Sequence, residues 1–362
     1  MEKQKKTKGY HIESYHMNGQ NWRLMPDDPE MDNIIIITGF MPAWWESEYG
    51  ITFGRSFHLD AETHKKTLLK MESILKKRFG GLPNFLTGID YSDSYPVERR
   101  YGDGFIPALF GGEVYFDDAS GHPYAYPFEL TGEQARELSV PDVKNHPVIG
   151  SLLDKGKGGF DKTTGEQGFE GVINIAYKLL GEEMFIYMNQ KPDLVHHVFE
   201  VVWHTINSAV HTVRKWQDPL GVKPTYFVQA DCLINMISSS MYKEQLLEFE
   251  IKFNQSFDIY GIHTCNWTVD PYLDAIAEVE GLGYLDMGPE SDLDLVHRLF
   301  PDLRPTVFFP PERFRRLEVG QIRKEISELG KRINKGYILL TDLEAGTQDA
   351  QIMAAYEEAA RL

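Results

Sequence analysis

From Tyr226 to the C-terminus, short apolar runs alternate with stretches of helical periodicity, and this rhythm restricts the fold more than any other feature of the chain. Strands are expected at Tyr226–Ala230, in the run leading to His263 and Cys265, and at Leu282–Asp286, Thr306–Phe309 and Tyr337–Thr341. Helical patterns fill the gaps at Ser240–Phe253, Pro271–Val279, Leu293–Phe300, Val319–Ile333 and Gln348–Arg361. Upstream, Asp32–Thr38 contains four consecutive isoleucines, Ile34 to Ile37, the pattern of a parallel strand buried on both faces. Pro83–Ile89 and Gly171–Ile175 read as the second and third strands, with helices at Asp60–Arg78 and Pro192–Trp216. Eight strands, most followed by a helix, predict a (β/α)8 barrel, although an open doubly wound sheet shares this spacing.

At 362 residues the chain suits one such barrel with insertions. Residues 1–30, beginning MEKQKKTKG, read as a charged tail and lead-in with no signal-peptide core, and 31–362 as a single barrel. Residues 100–170 are rich in Gly, Pro, Tyr and Phe without helical period, so they read as an insertion of loops and short strands. A formal charge of −17 argues against nucleic-acid phosphates or an anionic membrane as partners. No apolar run approaches the length of a membrane span. Two cysteines, Cys232 and Cys265, make no disulfide framework, which points to the reducing cytoplasm.

The segment YGIHTCNW, Tyr260 to Trp267, carries the sharpest chemistry. Side chains alternate along a strand, so His263 and Cys265 project to one side as it leaves the sheet. An imidazole and a thiolate together offer two of the three ligands of a catalytic zinc; a core histidine beside a buried thiol is the plainer alternative. In a barrel the chemistry sits at the carboxyl ends of the strands. The polar and aromatic residues expected there are Trp44 and Trp45, Asp90 to Asp93, Asp231, His263, Cys265, Asp286, Asp342 and Glu344. Each carboxylate could equally cap a helix, and the two tryptophans could pack the insertion onto the barrel.

With these residues placed, the chain resembles the uroporphyrinogen decarboxylase superfamily, most clearly in FVQADC, YGIHTCNW and GYILLTDLEAGTQDAQIM. The resemblance implies a (β/α)8 barrel and one of two chemistries. The superfamily's decarboxylases grip a polycarboxylate tetrapyrrole with arginines after the first strand. Here that loop reads GFMPAWWESEYG, with no cation and with Glu46 and Glu48, which disfavours that branch. The other branch, corrinoid-dependent methyltransferases, holds zinc through H-x-C and a later cysteine. This chain has no cysteine after Cys265, so the resemblance puts Glu344, or Asp342 close by, in the third ligand position.

A carboxylate ligand would make zinc a harder Lewis acid, suited to an ether oxygen. The implied function is therefore zinc-dependent methyl transfer from a small methoxylated, aromatic substrate to the cobalt of a separate corrinoid protein. Trp44, Trp45 and Trp267 would stack on the substrate ring, Asp231 would stand beside the metal, and Tyr91 or Asp93 would donate a proton to the leaving oxygen. Methyl transfer from the corrinoid protein to a thiol such as coenzyme M is the alternative. Behind it stands a metal-free decarboxylase-like enzyme or small-molecule binder. Homodimers are common in the superfamily, which leaves a homodimer open.

Overall fold

The computed structural model describes residues 10–12, 34–82, 85–87, 94–96, 101–118, 123–153, 162–164, 168–220 and 226–362. Eight strands succeed one another in chain order: β1 (Ile34–Phe40), β2 (Phe85–Thr87), β3 (Gly168–Glu170), β4 (Tyr226–Ala230), β5 (Ile259–His263), β6 (Tyr284–Met287), β7 (Thr306–Phe308) and β8 (Gly336–Leu343). All their pairings are parallel, running β3-β4-β5-β6-β7-β8-β1 and ending at β2. This is the expected (β/α)8 barrel.

Four segments, the last of them residues 100–170, depart from the sequence reading. Tyr10–Ile12, expected in the tail, forms a short strand between β1 and β2 in parallel register with both. The segment after β1 is a helix, Pro42–Tyr49, where a loop was expected. Pro42 opens it with a preset φ, and Gly50 ends it at φ +60. The third strand lies just before Gly171–Ile175, which instead enters the helix Val172–Leu180. Val172, Ile173, Ile175, Ala176, Leu179 and Leu180 are all buried there, a helical spacing that a short apolar run conceals. Elsewhere the agreement is close, and Val319–Ile333 matches at both ends because a capping box of Glu318 and Gln321 starts it. The 100–170 stretch holds more helix than expected, including Phe105–Leu109, Gly132–Arg136 and Pro147–Leu153.

Alternation along the strands builds two apolar layers. Phe227, Tyr260, Ile262, Ile338 and Leu340 face the surrounding helices and join the large core. The opposite set forms two small clusters inside the barrel: Val228, Tyr284 and Ile259 in one, Ile37, Phe308, Tyr337 and Leu339 in the other. Gly261 lies in β5 between Ile259 and His263 on this inner face, where a Cβ would collide with Tyr284 and Val228. The last helix, Asp349–Ala359, is tied to β1 by a buried hydrogen bond of 2.9 Å between the Tyr356 and Thr38 hydroxyls. Among the described residues no helix is long and apolar enough to cross a membrane.

Candidate metal centre

Strands β4 and β5 pair in register with Ala230 opposite His263, and the Asp231 N–H donates to the His263 carbonyl at 2.9 Å. Cys232 and Cys265 therefore stand at equivalent positions, each two residues beyond that last matched pair. Cys232 opens the 3-10 helix Cys232–Met236, and Cys265 turns back at φ +65, a left-handed conformation uncommon for a side-chain-bearing residue. The turn carries Cys265 Sγ to 2.9 Å from Cys232 Sγ and 3.1 Å from His263 Nε2. All three ligand atoms lie within 4.8 Å of one another, the one such group of His, Cys, Asp or Glu among the described residues.

Asp286, fully buried at the end of β6, supports the group. Its Oδ2 accepts from His263 Nδ1 and from the Tyr284 hydroxyl at 2.7 Å, and its Oδ1 accepts from the Thr264 N–H at 2.6 Å. The Thr264 hydroxyl donates to the Asp286 carbonyl at 2.7 Å. Holding the Nδ1 proton leaves Nε2 facing the two sulfurs, the arrangement that a carboxylate hydrogen-bonded to the far ring nitrogen imposes on metal-binding imidazoles. The Cys265 thiol donating to Cys232, helped by the charge of His263, pulls the Cys232 thiol down to about 5 against the effect of burial. Cys265 is pushed well up by that same neighbour and by burial. Burial disfavours the His263 imidazolium, but Asp286 and the Cys232 thiolate outweigh it and raise the ring to about 10. Two sulfurs and one ring nitrogen converging at the carboxyl end of a barrel are a donor set that zinc takes in catalytic sites.

The other expected site residues fall elsewhere. Glu344 is half-exposed, with Arg315 Nε 3.6 Å away, and lies outside the ligand group. Asp342 sits in the irregular register between Leu340 and Leu343 at φ +58; its charge reaches Cys265, but its carboxylate is not in the group either. Cys232 takes the place that sequence reading gave to these acids. Trp44 and Trp45 are core residues: Trp44 stacks on Phe40 at 4.1 Å with Arg78 4.7 Å from its ring, and Trp45 packs against Trp44 and Tyr49. Trp267, two residues after Cys265, is 51% exposed and the one expected aromatic with a free face. Tyr91 and Asp93 lie outside the described residues.

Asp231 has the opposite strand parity to Ala230 and Cys232, and it faces outward. It is fully buried, and its carboxyl group faces Glu250 and Gln229. A side chain at Gly171 would overlap its carboxyl group. Burial first, then the facing Glu250, hold Asp231 well above the usual carboxylate range. Glu250 accepts from Gln229 Nε2 at 2.8 Å and from the Tyr260 hydroxyl, and burial still raises it to about 7. Two facing carboxyl groups need one proton between them.

The pH dependence follows from that proton. Folding raises Glu250 from 4.5 to about 7, so the native state binds a proton that the unfolded chain releases. This contribution to stability is therefore fully present below about pH 4.5 and declines as pH rises toward 7, by about 1–3 kcal/mol. Glu250→Gln, whose amide can donate to Asp231, is expected to flatten this slope when denaturant midpoints are compared across that pH range. An unchanged slope would remove Glu250 as its source.

Glu170, at the end of β3, was not singled out from the sequence. It is largely buried and paired with Lys178, and burial, followed by Asp103, raises it to about 8; its field also reaches Cys232. A signal existed only in its position at a strand end, which the misplaced third strand hid.

No protein-family model matches the chain, and no curated protein matches it. Among solved structures, it is similar to a methyltransferase from Methanosarcina mazei, with a TM-score of 0.60 and 15% identity over 92% of this chain and 94% of that one. The shared property is the fold. A second likeness, to a chain named as a vitamin-B12-independent methionine synthase from Listeria monocytogenes, has a TM-score of 0.43 and 12% identity over 83% and 86% of the two chains, below the level at which a common fold follows.

Proposed function

We propose that the protein is a zinc-dependent methyltransferase that exchanges a methyl group between a small thiol and the cobalt of a separate corrinoid protein. The observation that carries this reading is the convergence of Cys232, His263 and Cys265 at the carboxyl end of the barrel. The methyltransferase fold of the Methanosarcina mazei protein agrees with it. Two thiolates and one imidazole form a softer donor set than one with a carboxylate, and soft donors favour sulfur over ether oxygen as the substrate atom. When bound there, zinc would lower the pKa of a substrate thiol and present it as the nucleophile.

The chain's own residues supply the rest. Asp286 keeps the Nδ1 proton on His263, so Nε2 stays directed at the ligand group. Tyr284 and Thr264 hold the Asp286 carboxylate in place. Trp267, exposed beside Cys265, offers an apolar wall where a flat substrate would lie. That ring favours a second reading, in which the small partner is a methoxylated aromatic compound demethylated toward the corrinoid.

Paired assays separate the two. One supplies methylcobalamin and a small thiol and follows the loss of the methyl–cobalt absorbance; the other supplies a methoxyphenol and reduced cobalamin. Turnover in the first with zinc-loaded protein is expected. Turnover only in the second would replace the thiol reading with the aromatic one, and no methyl transfer in either would overturn both.

A further inference from the structure

The geometry points to an intramolecular disulfide between Cys232 and Cys265, formed in the metal-free chain by a peroxide and closing the site to metal. Its consequence for metal rests on the proposed zinc centre; the bond itself does not. Strand register sets the approach: neighbouring strands run about 4.8 Å apart, within the roughly 4.4–6.8 Å Cα separation that a disulfide spans. Cys232 and Cys265 continue the matched pair Ala230 and His263 by two residues each. Their sulfurs are already 2.9 Å apart, so the move to a bond of about 2.05 Å is small.

Three further facts favour this bond over other fates of the thiols. These are the only two cysteines in the chain, so no third thiol competes within it. Both are partly exposed, which lets a small oxidant in. Cys265 Sγ also lies 3.1 Å from His263 Nε2, a second polar contact that holds the turn carrying it toward Cys232.

The chemistry balances with hydrogen peroxide as the oxidant. One thiolate attacks a peroxide oxygen; the S–O bond forms, the O–O bond breaks, and the departing hydroxide takes a proton to become water. The second thiolate attacks the sulfenic sulfur; the S–S bond forms, the S–O bond breaks, and a second water leaves. Two thiols and one peroxide give one disulfide and two waters. A metal ion on both sulfurs would block the first step, and a disulfide has no thiolate to offer a metal.

The test uses the full chain, reduced and stripped with a chelator, then exposed to one equivalent of hydrogen peroxide. The expected result is a mass loss of about 2 Da, loss of both titratable thiols, and a peptide linking residues 232 and 265 within one chain. Cys265→Ser should stop at a sulfenic acid on Cys232 that dimedone traps. Sulfinic acid on either cysteine, or chains linked to each other without the internal bond, would overturn the proposal. Zinc affinity, read by competition with a chromophoric chelator, should fall more than about a hundredfold on oxidation, beyond the roughly 10–100-fold cost of losing a supporting contact, and return with dithiothreitol. Zinc uptake by the reduced chain is measured first. No uptake there would sink the metal centre, while mass alone still decides the disulfide.

Discussion

Replacing Cys232 with serine is expected to lower zinc affinity by more than about a hundredfold, whereas Glu344→Gln leaves it unchanged. The contrast rests on placement. Cys232 Sγ lies in the ligand group beside Cys265 Sγ, while Glu344 is half-exposed near Arg315. A serine hydroxyl is a far poorer ligand than a thiolate, because it is not ionised near neutral pH and is harder than the borderline-soft zinc prefers. Elemental analysis of the purified variants, followed by competition with a chromophoric chelator, reads the effect directly. Zinc kept by Cys232→Ser and lost by Glu344→Gln would restore the carboxylate ligand, and with it the argument for a harder, ether-directed metal. Cobalt(II) substitution adds an independent reading. The intense thiolate-to-cobalt absorption should weaken in Cys232→Ser and persist in Glu344→Gln.

Asp286→Asn is expected to weaken zinc binding by about 10–100-fold and to destabilise the fold as well. The carboxylate is fully buried and accepts three hydrogen bonds, from His263 Nδ1, the Tyr284 hydroxyl and the Thr264 N–H. An asparagine can keep the Thr264 bond through its carbonyl oxygen, but its amide then points N–H groups at His263. The imidazole must answer with a bare Nδ1, which moves its proton to Nε2, the nitrogen that faces the sulfurs. The metal must then displace that proton at the cost of the new hydrogen bond. Nitrogen chemical shifts of His263 in the metal-free chain near neutral pH distinguish this from general loosening: the wild type should show both nitrogens protonated, the variant Nε2 protonated and Nδ1 bare. Weakened binding with the wild-type protonation of the ring retained would mean that Asp286 acts through packing alone. Tyr284→Phe serves as a control, since it removes one donor from Asp286 and leaves the tautomer intact.

Two of the three members of the candidate metal centre were legible in the primary structure, and the reason is geometric. His263 ends β5 and Cys265 follows two residues on, so their nearness in sequence already puts them together, and the turn at Cys265 completes the approach. Cys232 is 33 positions from Cys265, and no local periodicity connects them. A trace existed nonetheless: FVQADC and GIHTC both place a cysteine at or just beyond the end of an expected strand. Reading it requires knowing that the two strands are neighbours in register. The family resemblance directed the third ligand to the end of the eighth strand, whereas the side chain that the fold brings beside His263 and Cys265 comes from the end of the fourth. Trp44 and Trp45 were misplaced because a run after a strand resembled a loop. Pro42 and Gly50 make it a helix that turns both rings into the core.

The amino-acid order by itself determined the repeating strand–helix rhythm, the parallel pairing it demands, and the pairing of an imidazole with a thiol after β5. These follow from local rules, the two-residue period of a strand and the 3.6-residue period of a helix, which act over a few residues. Only the tertiary structure decided which side chains meet across the barrel. It brought Cys232 beside His263 and Cys265, turned Asp231 outward to Glu250, and placed Asp286 under His263. Those contacts depend on strand register and on the direction each side chain takes from the sheet, and a shift of one residue would reverse them all.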